Sequence, residues 1–420
     1  MLAPGEPMSP PSTVPPGHAG PRMRVLQLTK FYSPFRGGIE SAVLQLTEGL
    51  RDAGVDVEVL CCNTQRRTNR EQFSGYRVTR ASSLARFLST SMSPALLFEV
   101  MRRRSKHDVI HVHMPDPMAA LALYFAKPQA RVVVHWHSDV VRQRISLKLY
   151  EPLQRWLLRR ADRVIATSRD YADASGTLRS WAAKVQVIPL GIRDMHSSVD
   201  PEEVAALRGA LGSKRVVLAV GRMTHYKGFE VLIEAARDLP DDMRVVIVGE
   251  GELLSQMQCR VSELGLGERV LMPGELTDRQ LRTYLSACDI FCLPSTSRAE
   301  SFGLAMLEAM SFGKPIVASD IQGSGVPWVN QSGVTGINVP VGDPASLSEA
   351  LRALAREPEL MRRYGAAARA RYLEHFTVVN MTTETLELYH GLLGEPRTAS
   401  DGTLDHAIKQ GLSVEEEQRA

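Results

Sequence analysis

The hydrophobic and polar positions of the chain alternate between two patterns from Met23 onward. Short runs rich in β-branched residues, beginning with RVLQLT, are followed by longer segments with apolar residues at helical spacing, such as GIESAVLQLTEGLRDAG. The short runs are almost continuously apolar, which is typical of parallel strands that helices cover on both faces. The alternation therefore predicts βαβ units and a parallel sheet.

The alternating pattern occurs twice along the chain. In the first series the further strand candidates are VDVEVLCC, DVIHVHM, RVVVHWH, DRVIATS and KVQVIPL. Near Gly191 the pattern breaks into the polar stretch GIRDMHSSVDPEEVAALRGALGSK, and it restarts with RVVLAVG, MRVVIVG, RVLMPG, IFCLPS, PIVASD and GINVP. A chain of 420 residues is too long for one small core. We therefore predict two doubly wound α/β domains.

The composition is ordinary for a soluble globular protein, and the net charge of +3 gives no sign of a nucleic-acid partner. No apolar run approaches the roughly 18 residues of a membrane-spanning helix. The proline-rich first 21 residues and the polar residues after about Glu395 indicate disordered tails, and the first lacks the features of a signal peptide. The odd number of cysteines, all in apolar segments, predicts buried thiols in a reducing cytosol at Cys61, Cys62, Cys259, Cys288 and Cys292.

Ligands of doubly wound sheets bind outside the carboxyl ends of the strands, so candidate chemistry is sought there. No G-x-G-x-x-G follows either first strand and no P-loop motif occurs, which weakens the dehydrogenase and P-loop hypotheses. The first strand leads into KFYSPFRGGIE, which places Gly37 and Gly38 at a helix start. Free backbone N–H groups there suit an anion, and a simple glycine turn is the plainer alternative.

Charged residues follow two strands of the second series. Arg222 and Lys227 come after RVVLAVG and suit a diphosphate, although solvated surface charges are the alternative. After IFCLPS, the segment RAESFGLAMLEAMSFGKP carries Glu300 and Glu308 eight positions apart. That spacing predicts both carboxylates on one helix face, with Glu300 near the N-terminal end. Such a pair suits the hydroxyls of a polyol as well as acid–base chemistry, and a solvated helix face is the alternative.

Histidines follow two strands of the first series. VVVHWHSDVVRQR places His135 and His137 at the end of a strand, facing the proposed cleft. His111 and His113 occur in HVHMPDP, but nothing fixes four ligands in a tetrahedral array, so we predict no metal site. The sequence also lacks a D-x-D motif, in keeping with a metal-independent site. A structural role is the alternative for these histidines.

Together these features resemble the retaining glycosyltransferases of the GT-B fold, glycosyltransferase family 4, from about Arg24 to Leu393. The most specific segments are ESFGLAMLE, GRMTHYKG, VGEGEL and GGIE. The resemblance implies two Rossmann-like domains facing across a cleft. It implies an N-terminal acceptor-binding domain at 22–193, a C-terminal nucleotide-sugar-binding domain at 194–375 and a helix at 376–393 that crosses back to the first domain, with tails at 1–21 and 394–420.

The resemblance also implies roles for individual residues. Glu300 contacts hydroxyls of the donor sugar, Glu308 holds the ribose, and the diphosphate binds to two cations and the start of a helix. His137 matches a histidine near the reacting centre, and His113 is the candidate for the acceptor pocket. The candidate catalytic residues are His137, Arg222, Lys227 and Glu300. The candidate donor-binding residues are Gly37, Gly38, Arg222, Lys227, Glu300, Phe302, Gly303, Leu304 and Glu308.

GGIE, HWHSDVVRQ, KLYEPLQRWLLRRAD and GVPWVNQSGVTG occur together, and this combination looks like the polysaccharide-assembly members of the family. The resemblance implies transfer of a hexose, with mannose as the first guess, to a lipid-linked glycan with retained anomeric configuration. The donor would be GDP-mannose or a UDP-sugar, and no cofactor is expected. A sugar-nucleotide epimerase and a catalytically idle binding subunit are the two alternatives.

Basic residues concentrate in MRRRSKH and in VRQRISLKLYEPLQRWLLRR, where apolar residues such as Trp156 are interleaved. A helix with a solvated basic face is the plainer interpretation. The alternative is a cytoplasmic enzyme bound peripherally to anionic lipid on the inner face of the plasma membrane. That alternative predicts lipid contact through Arg102, Arg103, Arg104, Arg155, Arg159 and Arg160.

Overall fold

The computed structural model describes residues 22–394 except 88–89, 140–143, 197–198 and 213, and it gives only the backbone of 86–87, 90 and 144–149. The two predicted tails therefore lie outside the described residues, apart from Gly394. Within the described part of the chain, no helix is both long enough and apolar enough to span a membrane.

The N-terminal domain is built on one large sheet. Its strands pair in the order β10-β9-β8-β7-β1-β2-β4-β3, parallel throughout except for the antiparallel edge strand β3, and β5 and β6 form a separate hairpin. The strands are β1 (Arg24–Thr29), β2 (Asp56–Cys62), β3 (Asn69–Phe73), β4 (Tyr76–Ala81), β5 (Ala85–Phe87), β6 (Thr90–Met92), β7 (Val109–Met114), β8 (Arg131–Trp136), β9 (Arg163–Ala166) and β10 (Val185–Val187).

Helices cover this sheet on both faces, as the continuously apolar strands predict. Two of them start at well-defined caps, because Ser93 and Asp116 accept backbone N–H groups and a proline follows each of them. The helices are α1 (Gly38–Asp52), α2 (Pro94–Arg103), α3 (Pro117–Ala126), α4 (Arg144–Arg160), α5 (Arg169–Ala174) and α6 (Gly176–Arg179).

The C-terminal domain has an all-parallel sheet in the order β13-β12-β11-β14-β15-β16, which is the strand order of a Rossmann sheet. The chain reverses its direction of winding between β11 and β14. The elements are α7 (Pro201–Ala210), β11 (Arg215–Val220), α8 (Phe229–Ala235), β12 (Met243–Val248), α9 (Leu254–Glu263), β13 (Val270–Gly274), α10 (Asp278–Ala287), β14 (Ile290–Leu293), α11 (Leu304–Ser311), β15 (Ile316–Ser319), α12 (Val326–Val329), β16 (Gly336–Val339), α13 (Pro344–Arg356) and α14 (Pro358–His375).

The last helix, α15 (Val378–Leu393), leaves the C-terminal domain and packs on α1 of the first domain. The approach is close: a Cβ atom on Gly49 of α1 would lie 2.1 Å from Oγ1 of Thr382. Further along α15, the hydroxyl of Tyr389 is hydrogen-bonded to Nδ1 of His111. The outgoing connection at Ile192 also pairs with the return connection at Thr377. The two domains are therefore joined by two adjacent crossings and by a shared apolar core.

Two expectations about the chain need correction. The polar stretch after Gly191 contains a helix, α7, because Asp200 caps its first turn and Pro201 follows. All five cysteines are free, but Cys259 is exposed on α9 while the other four are buried. Helical segments have an outer face, so an apolar neighbourhood in sequence does not by itself bury a residue.

Candidate active site

The turning point of the C-terminal sheet brings together Lys227 and Glu300. Lys227 ends a short turn after β11, Glu300 lies in the loop after β14, and Nζ is 2.7 Å from Oε2. The hydroxyl of Ser295 donates to the same carboxylate oxygen at 2.9 Å. The Lys227 and Glu300 side chains are only 11% and 9% exposed. Burial alone would lower the pKa of Lys227, but the contacts with Glu300 outweigh it and raise that pKa.

Glycine allows the loops at this point to touch. Gly228, directly after Lys227, has a φ of 65°, and a Cβ atom there would lie 2.0 Å from the carbonyl oxygen of Pro294. Gly249 follows β12 with a φ of 138°, and its Cβ would lie 2.0 Å from the carbonyl oxygen of Gly221. Only glycine combines these backbone angles with such close approach. The glycines of GRMTHYKG and VGEGEL thus allow the loops after β11, β12 and β14 to pack closely against one another.

Glu300 and Glu308 do not share a helix face, contrary to the sequence prediction. The helix α11 begins only at Leu304, because Gly303 before it adopts a left-handed conformation with a φ of 84°. Glu300 therefore lies in the preceding loop, and Glu308 lies within the helix. Burial raises the pKa of Glu308 to about 7, although the charge of Lys227 acts in the opposite direction. The two acids converge on one lysine and not on one helical face.

The helix α11 begins at Leu304 with Gly303 as its N-cap, so Phe302, the first of the three predicted residues, lies before the helix start. No described side chain caps this helix start, so its positive end remains available to an anion. The Phe302 side chain does not take part, because it is buried against Trp328 and Phe376 with ring centroids 6.1 Å and 5.9 Å away. Gly303 and Leu304 complete the turn.

The N-terminal domain approaches this edge with the start of α1. Gly37 precedes the helix and Gly38 is its first residue, as predicted. The half-buried carboxylate of Glu40 folds back against Gly37. Burial raises the pKa of Glu40, and the charge of Arg222 on the other domain opposes that rise. Arg222 is itself exposed. The site therefore lies between the domains.

The neighbouring residue Arg36 makes direct contacts with the C-terminal domain. Its guanidinium donates to Asp278 at 3.1 Å and to the carbonyl oxygen of Leu276 at 3.0 Å. These contacts hold the glycine loop against the loop between β13 and α10. They connect the start of α1 with the carboxyl edge of the second sheet.

The four histidines in and directly after β7 and β8 form a buried stack, which corrects the expectation that His135 and His137 face an open cleft. His137 is 3% exposed and its ring lies 4.2 Å from that of His135. His113 donates from Nε2 to the side-chain oxygen of Gln27 at 2.7 Å, and its Nδ1 lies 3.0 Å from Nε2 of His137. Burial lowers the pKa of all four, to about 3 for His111 and His137. His113 and His137 contact one another and not solvent.

The histidine stack does not fit a metal ion. Ring nitrogens of His111, His113 and His135 lie within 4.8 Å of one another, which brings three potential ligands of one type together. The rings of His111 and His113 are nearly parallel, however, with an interplanar angle of 9°. Lone pairs of parallel stacked rings lie in separate planes, which is unfavourable for binding one ion. Both nitrogens of His113 are also engaged by Gln27 and His137.

Three residues of the site were assigned no role from the sequence. Ser295 supports Glu300, and Arg298 and Asp139 form an ion pair between the domains at 3.3 Å. Each of them follows the carboxyl end of a strand, so position alone was the available signal. Their partners are distant in sequence, and no local pattern reveals such contacts.

Two Rossmann-like domains that face one another, with a buried lysine–glutamate pair at the carboxyl edge of the second sheet, form a GT-B fold. Solved structures with this fold include HepE from Anabaena in complex with UDP, with a TM-score of 0.70 and 23% identity over 88% of this chain and all of that one. Sucrose-phosphate synthase from Thermosynechococcus elongatus gives a TM-score of 0.74 and 23% identity over 89% of this chain and all of that one.

Sequence comparison assigns the family. Residues 205–371 match the family described as glycosyl transferases group 1, and residues 37–191 match the glycosyl transferase 4-like domain. The chain is 33% identical to the O-antigen chain mannosyltransferase C of Escherichia coli over 88% of its own length and 99% of the relative. It is 34% identical to the D-rhamnosyltransferase WbpZ of Pseudomonas aeruginosa, over 84% and 92% of the two chains. The protein belongs to this glycosyltransferase family.

Proposed function

We propose that the protein transfers a hexose, with mannose as the first candidate, from a nucleoside-diphosphate sugar to a lipid-linked glycan during polysaccharide assembly. The observation that carries the proposal is the buried Glu300 carboxylate, which accepts hydrogen bonds from Lys227 and Ser295 at the turning point of the second sheet. The two relatives named above are an O-antigen chain mannosyltransferase and a D-rhamnosyltransferase, and they support a sugar of this type.

The cations of the site would act on the leaving group. Arg222, Lys227 and the start of α11 lie where a diphosphate would sit, and departure of the nucleoside diphosphate places negative charge there. Charge stabilisation that grows during bond cleavage accelerates the reaction, whereas uniform binding does not. Metal independence of the reaction follows from this proposal and remains a prediction.

The buried ion pair would exchange partners when the donor binds. Without a donor, Glu300 balances the charge of Lys227, and a buried charge without a partner is costly. An arriving diphosphate would take over the ammonium group, which frees the Glu300 carboxylate to accept hydroxyl groups of the sugar. Glu308, beside the same lysine, would accept the ribose hydroxyls.

The retained anomeric configuration and the role of His137 also belong to the proposal. His137 lies directly after β8 and its backbone N–H donates to Met114, so the strand end holds the residue in place. For the His137 side chain to contact a sugar, its hydrogen bond with His113 must break so that a ring nitrogen becomes available. Contact through the backbone of His137 would instead require the cleft to expose that backbone. We expect His137→Ala to reduce turnover more than donor affinity.

A panel of sugar nucleotides tests the proposed donor. Purified protein is incubated with GDP-mannose and with UDP-sugars, and nucleoside diphosphate release is measured with and without a lipid-linked glycan acceptor, with Glu300→Gln as the inactive control. Turnover of GDP-mannose supports the proposal, and turnover of UDP-sugars alone would overturn the mannose assignment. Sugar analysis of the remaining donor without acceptor detects an epimerase, and donor binding without any turnover identifies a binding subunit.

The N-terminal domain also presents a surface that suits an anionic membrane. We define the α2–α3 face as the exposed side chains of Phe98 and Met101 on α2 with Tyr124 and Phe125 on α3; Phe98 and Phe125 are 59% and 57% exposed. The sequence of α3, PMAALALYFA, contains no charged residue, although one side of the helix is exposed. An exposed apolar patch of this kind marks an interaction surface.

Cations flank the α2–α3 face, but not all of those predicted from the sequence. Arg103 is buried and bonded to Glu58, Glu99 and Thr79, and Arg160 is bonded to Asp162 and to two carbonyl oxygens. These two arginines stabilise the fold, which corrects the sequence expectation. The exposed cations around the face are Arg102, Arg104, Lys106, Lys127, Arg155 and Arg159. Residues 117–130 include no acid, so this edge attracts anionic lipid.

The aromatic residue Trp156 has an intermediate position. It is half-buried, packs against the N-terminal core, and meets the exposed ring of Tyr124 edge-on at 5.0 Å. Trp156 therefore packs between the N-terminal core and the α2–α3 face. The side chains of Ile145, Leu147 and Leu149, which belong to the same basic segment, lie outside the described residues.

Vesicle flotation tests the membrane contact. We expect salt-sensitive binding to vesicles containing anionic lipid, weakened both by Arg102→Glu with Arg104→Glu and by Phe98→Ser with Phe125→Ser. Each cation contributes about 1 kcal/mol near such a surface, so the double charge reversal should lower binding by at least tenfold. Arg362→Glu and Leu373→Ser, which change exposed residues of α14, are the matched controls. Equal binding to neutral vesicles would contradict the electrostatic account.

A further inference from the structure

Asp139 is a carboxylate held in place by the N-terminal domain. Its Oδ1 accepts hydrogen bonds from the indole N–H of Trp136 at 3.0 Å and from the hydroxyl of Ser175 at 2.8 Å. Its backbone N–H donates to the hydroxyl of Tyr171 at 2.6 Å. Three groups from β8 and the α5–α6 region therefore fix Asp139 at the edge of the cleft, with Oδ2 turned to the other domain.

Arg298 reaches Asp139 from the C-terminal domain. Its terminal nitrogen donates to Oδ2 at 3.3 Å, and its guanidinium lies over the Tyr171 ring, 5.0 Å from the centroid. The two charged side chains are 33% and 22% exposed. An ion pair that is partly screened by water is weak and can break and re-form. An interdomain contact must do so if the domains open and close.

Arg298 is also connected to Glu300 through the next loop. Its Nε donates to the carbonyl oxygen of Gly323 at 3.0 Å. The adjacent Ser324 donates from its hydroxyl to the backbone carbonyl of Glu300, and the amide of Gly325 donates to Ser301 at 2.8 Å. The loops after β14 and β15 are thereby joined into one unit that carries the Glu300 carboxylate.

This joined unit lies directly on the N-terminal domain. A Cβ atom on Gly323 would lie 2.5 Å from the Cβ of Ala174, and one on Gly325 would lie 3.0 Å from the hydroxyl of Ser168. The backbone of the loop therefore approaches the start and end of α5 without intervening side chains. Separation of the two domains would therefore remove the contact with α5 that supports this loop, which carries Glu300.

We propose that Arg298 and Asp139 are positioning residues that couple closure of the two domains to the placement of Glu300. The ion pair favours the closed arrangement, and the bonds from Arg298 through Gly323 and Ser324 hold the Glu300 loop in the closed position. The consequence for catalysis rests on the proposed donor site, whereas the interdomain contact does not.

Scattering without any ligand tests the contact itself. Asp139→Asn keeps an oxygen for Trp136 and Ser175 but removes the charge, and Arg298→Gln removes the other partner. We expect both variants to have a larger radius of gyration than the native protein in low salt, and high salt should bring the native protein toward them. Asp173→Asn, which removes an exposed ion pair with Arg169 on α5, is the matched control. Unchanged profiles in both variants would overturn the proposal.

Nucleotide binding and kinetics test the coupling. We expect either variant to weaken GDP or UDP binding and to raise the donor KM by about threefold to tenfold, because fewer molecules occupy the closed state. The double variant should be no worse than the more damaging single variant, since the two residues act as one contact. Additive losses, or a lower kcat at unchanged KM, would refute the coupling. Arg298→Lys keeps the charge but loses the planar guanidinium that also donates to Gly323. Its donor KM should therefore lie between those of the native protein and Arg298→Gln.

The two proposals can fail separately. If the native protein binds neither nucleoside diphosphate, the proposed function fails, while the scattering comparison still decides the role of the ion pair. If the variants melt at the native temperature but scatter and bind like the native protein, the ion pair is not a closure contact. Thermal unfolding of each variant excludes loss of folding as the cause of any effect.

Discussion

At the residue scale, Lys227 and Glu300 depend on one another. Lys227→Ala and Glu300→Ala should each lower kcat/KM by ~100-fold or more, the scale of losing a preorganised charge contact. Each substitution also leaves a buried charge without its partner, which should lower the free energy of unfolding by about 3–5 kcal/mol. Steady-state kinetics and urea unfolding measure the two effects. Arg362→Ala on the exposed side of α14 is the control, and near-native kinetics for Glu300→Ala would contradict the assigned site.

Glu308 gives the site a pH dependence. Burial raises its pKa to about 7. In the proposed site, ribose hydroxyls would donate to the ionised carboxylate, so nucleotide binding below that pH would have to remove the proton. The Kd of GDP or UDP should therefore increase as the pH falls from about 8 to about 6. In Glu308→Gln the same titration should be flatter, because only the phosphate groups still change charge. If Kd changes equally with pH in the native protein and in Glu308→Gln, Glu308 does not contact the nucleotide.

At the scale of elements, the strands and their order along the chain follow from the apolar pattern. The predicted run RVLQLT forms β1 with the expected boundaries, and the predicted run RVVLAVG forms β11 except for its last residue, Gly221. The strands β3 to β6 were missed because they are short or alternate with exposed residues, so they resemble loops. Helix α7 was missed because its first turn is rich in acids, which cap a helix without marking an apolar face.

The loop contact at Gly228 yields a prediction for an element. Gly228→Ala places a Cβ 2.0 Å from the carbonyl oxygen of Pro294 and requires a φ of 65°. We expect a loss of about 3 kcal/mol in the free energy of unfolding and weaker nucleotide binding, because the β11 and β14 loops must separate. Gly265→Ala has a similar φ of 67° with no neighbouring atoms and should cost only about 1 kcal/mol. Equal losses would show that backbone strain alone, and not the loop contact, is responsible.

At the scale of the whole molecule, the histidine stack should make the protein sensitive to acid. The four rings are neutral in the folded state because burial lowers their pKa, to about 3 for His111 and His137, whereas unfolded histidine titrates near pH 6.5. Below that pH the unfolded state binds more protons. The free energy of unfolding should therefore fall as the pH decreases from about 6.5 toward about 3.

Urea unfolding at a series of pH values measures this acid sensitivity. His135→Phe removes one of the buried titrating rings, so the free energy of unfolding should fall less steeply with decreasing pH than in the native protein. His196→Asn changes an exposed histidine and is the control, with an expected slope equal to the native one. If His135→Phe retains the native slope, groups other than the stack cause the acid sensitivity.

The sequence alone determined the two Rossmann-like series, the site edges and the charged residues that follow the strands, because apolar periodicity and residue type are local properties. The tertiary structure decided which of these residues meet. It placed Glu300 before α11, buried the four histidines, used Arg103 and Arg160 inside the fold, and paired Arg298 with Asp139 across the cleft. Such outcomes depend on the burial and orientation of side chains from distant segments, and these are set only when the sheets, their loops and the two domains pack together.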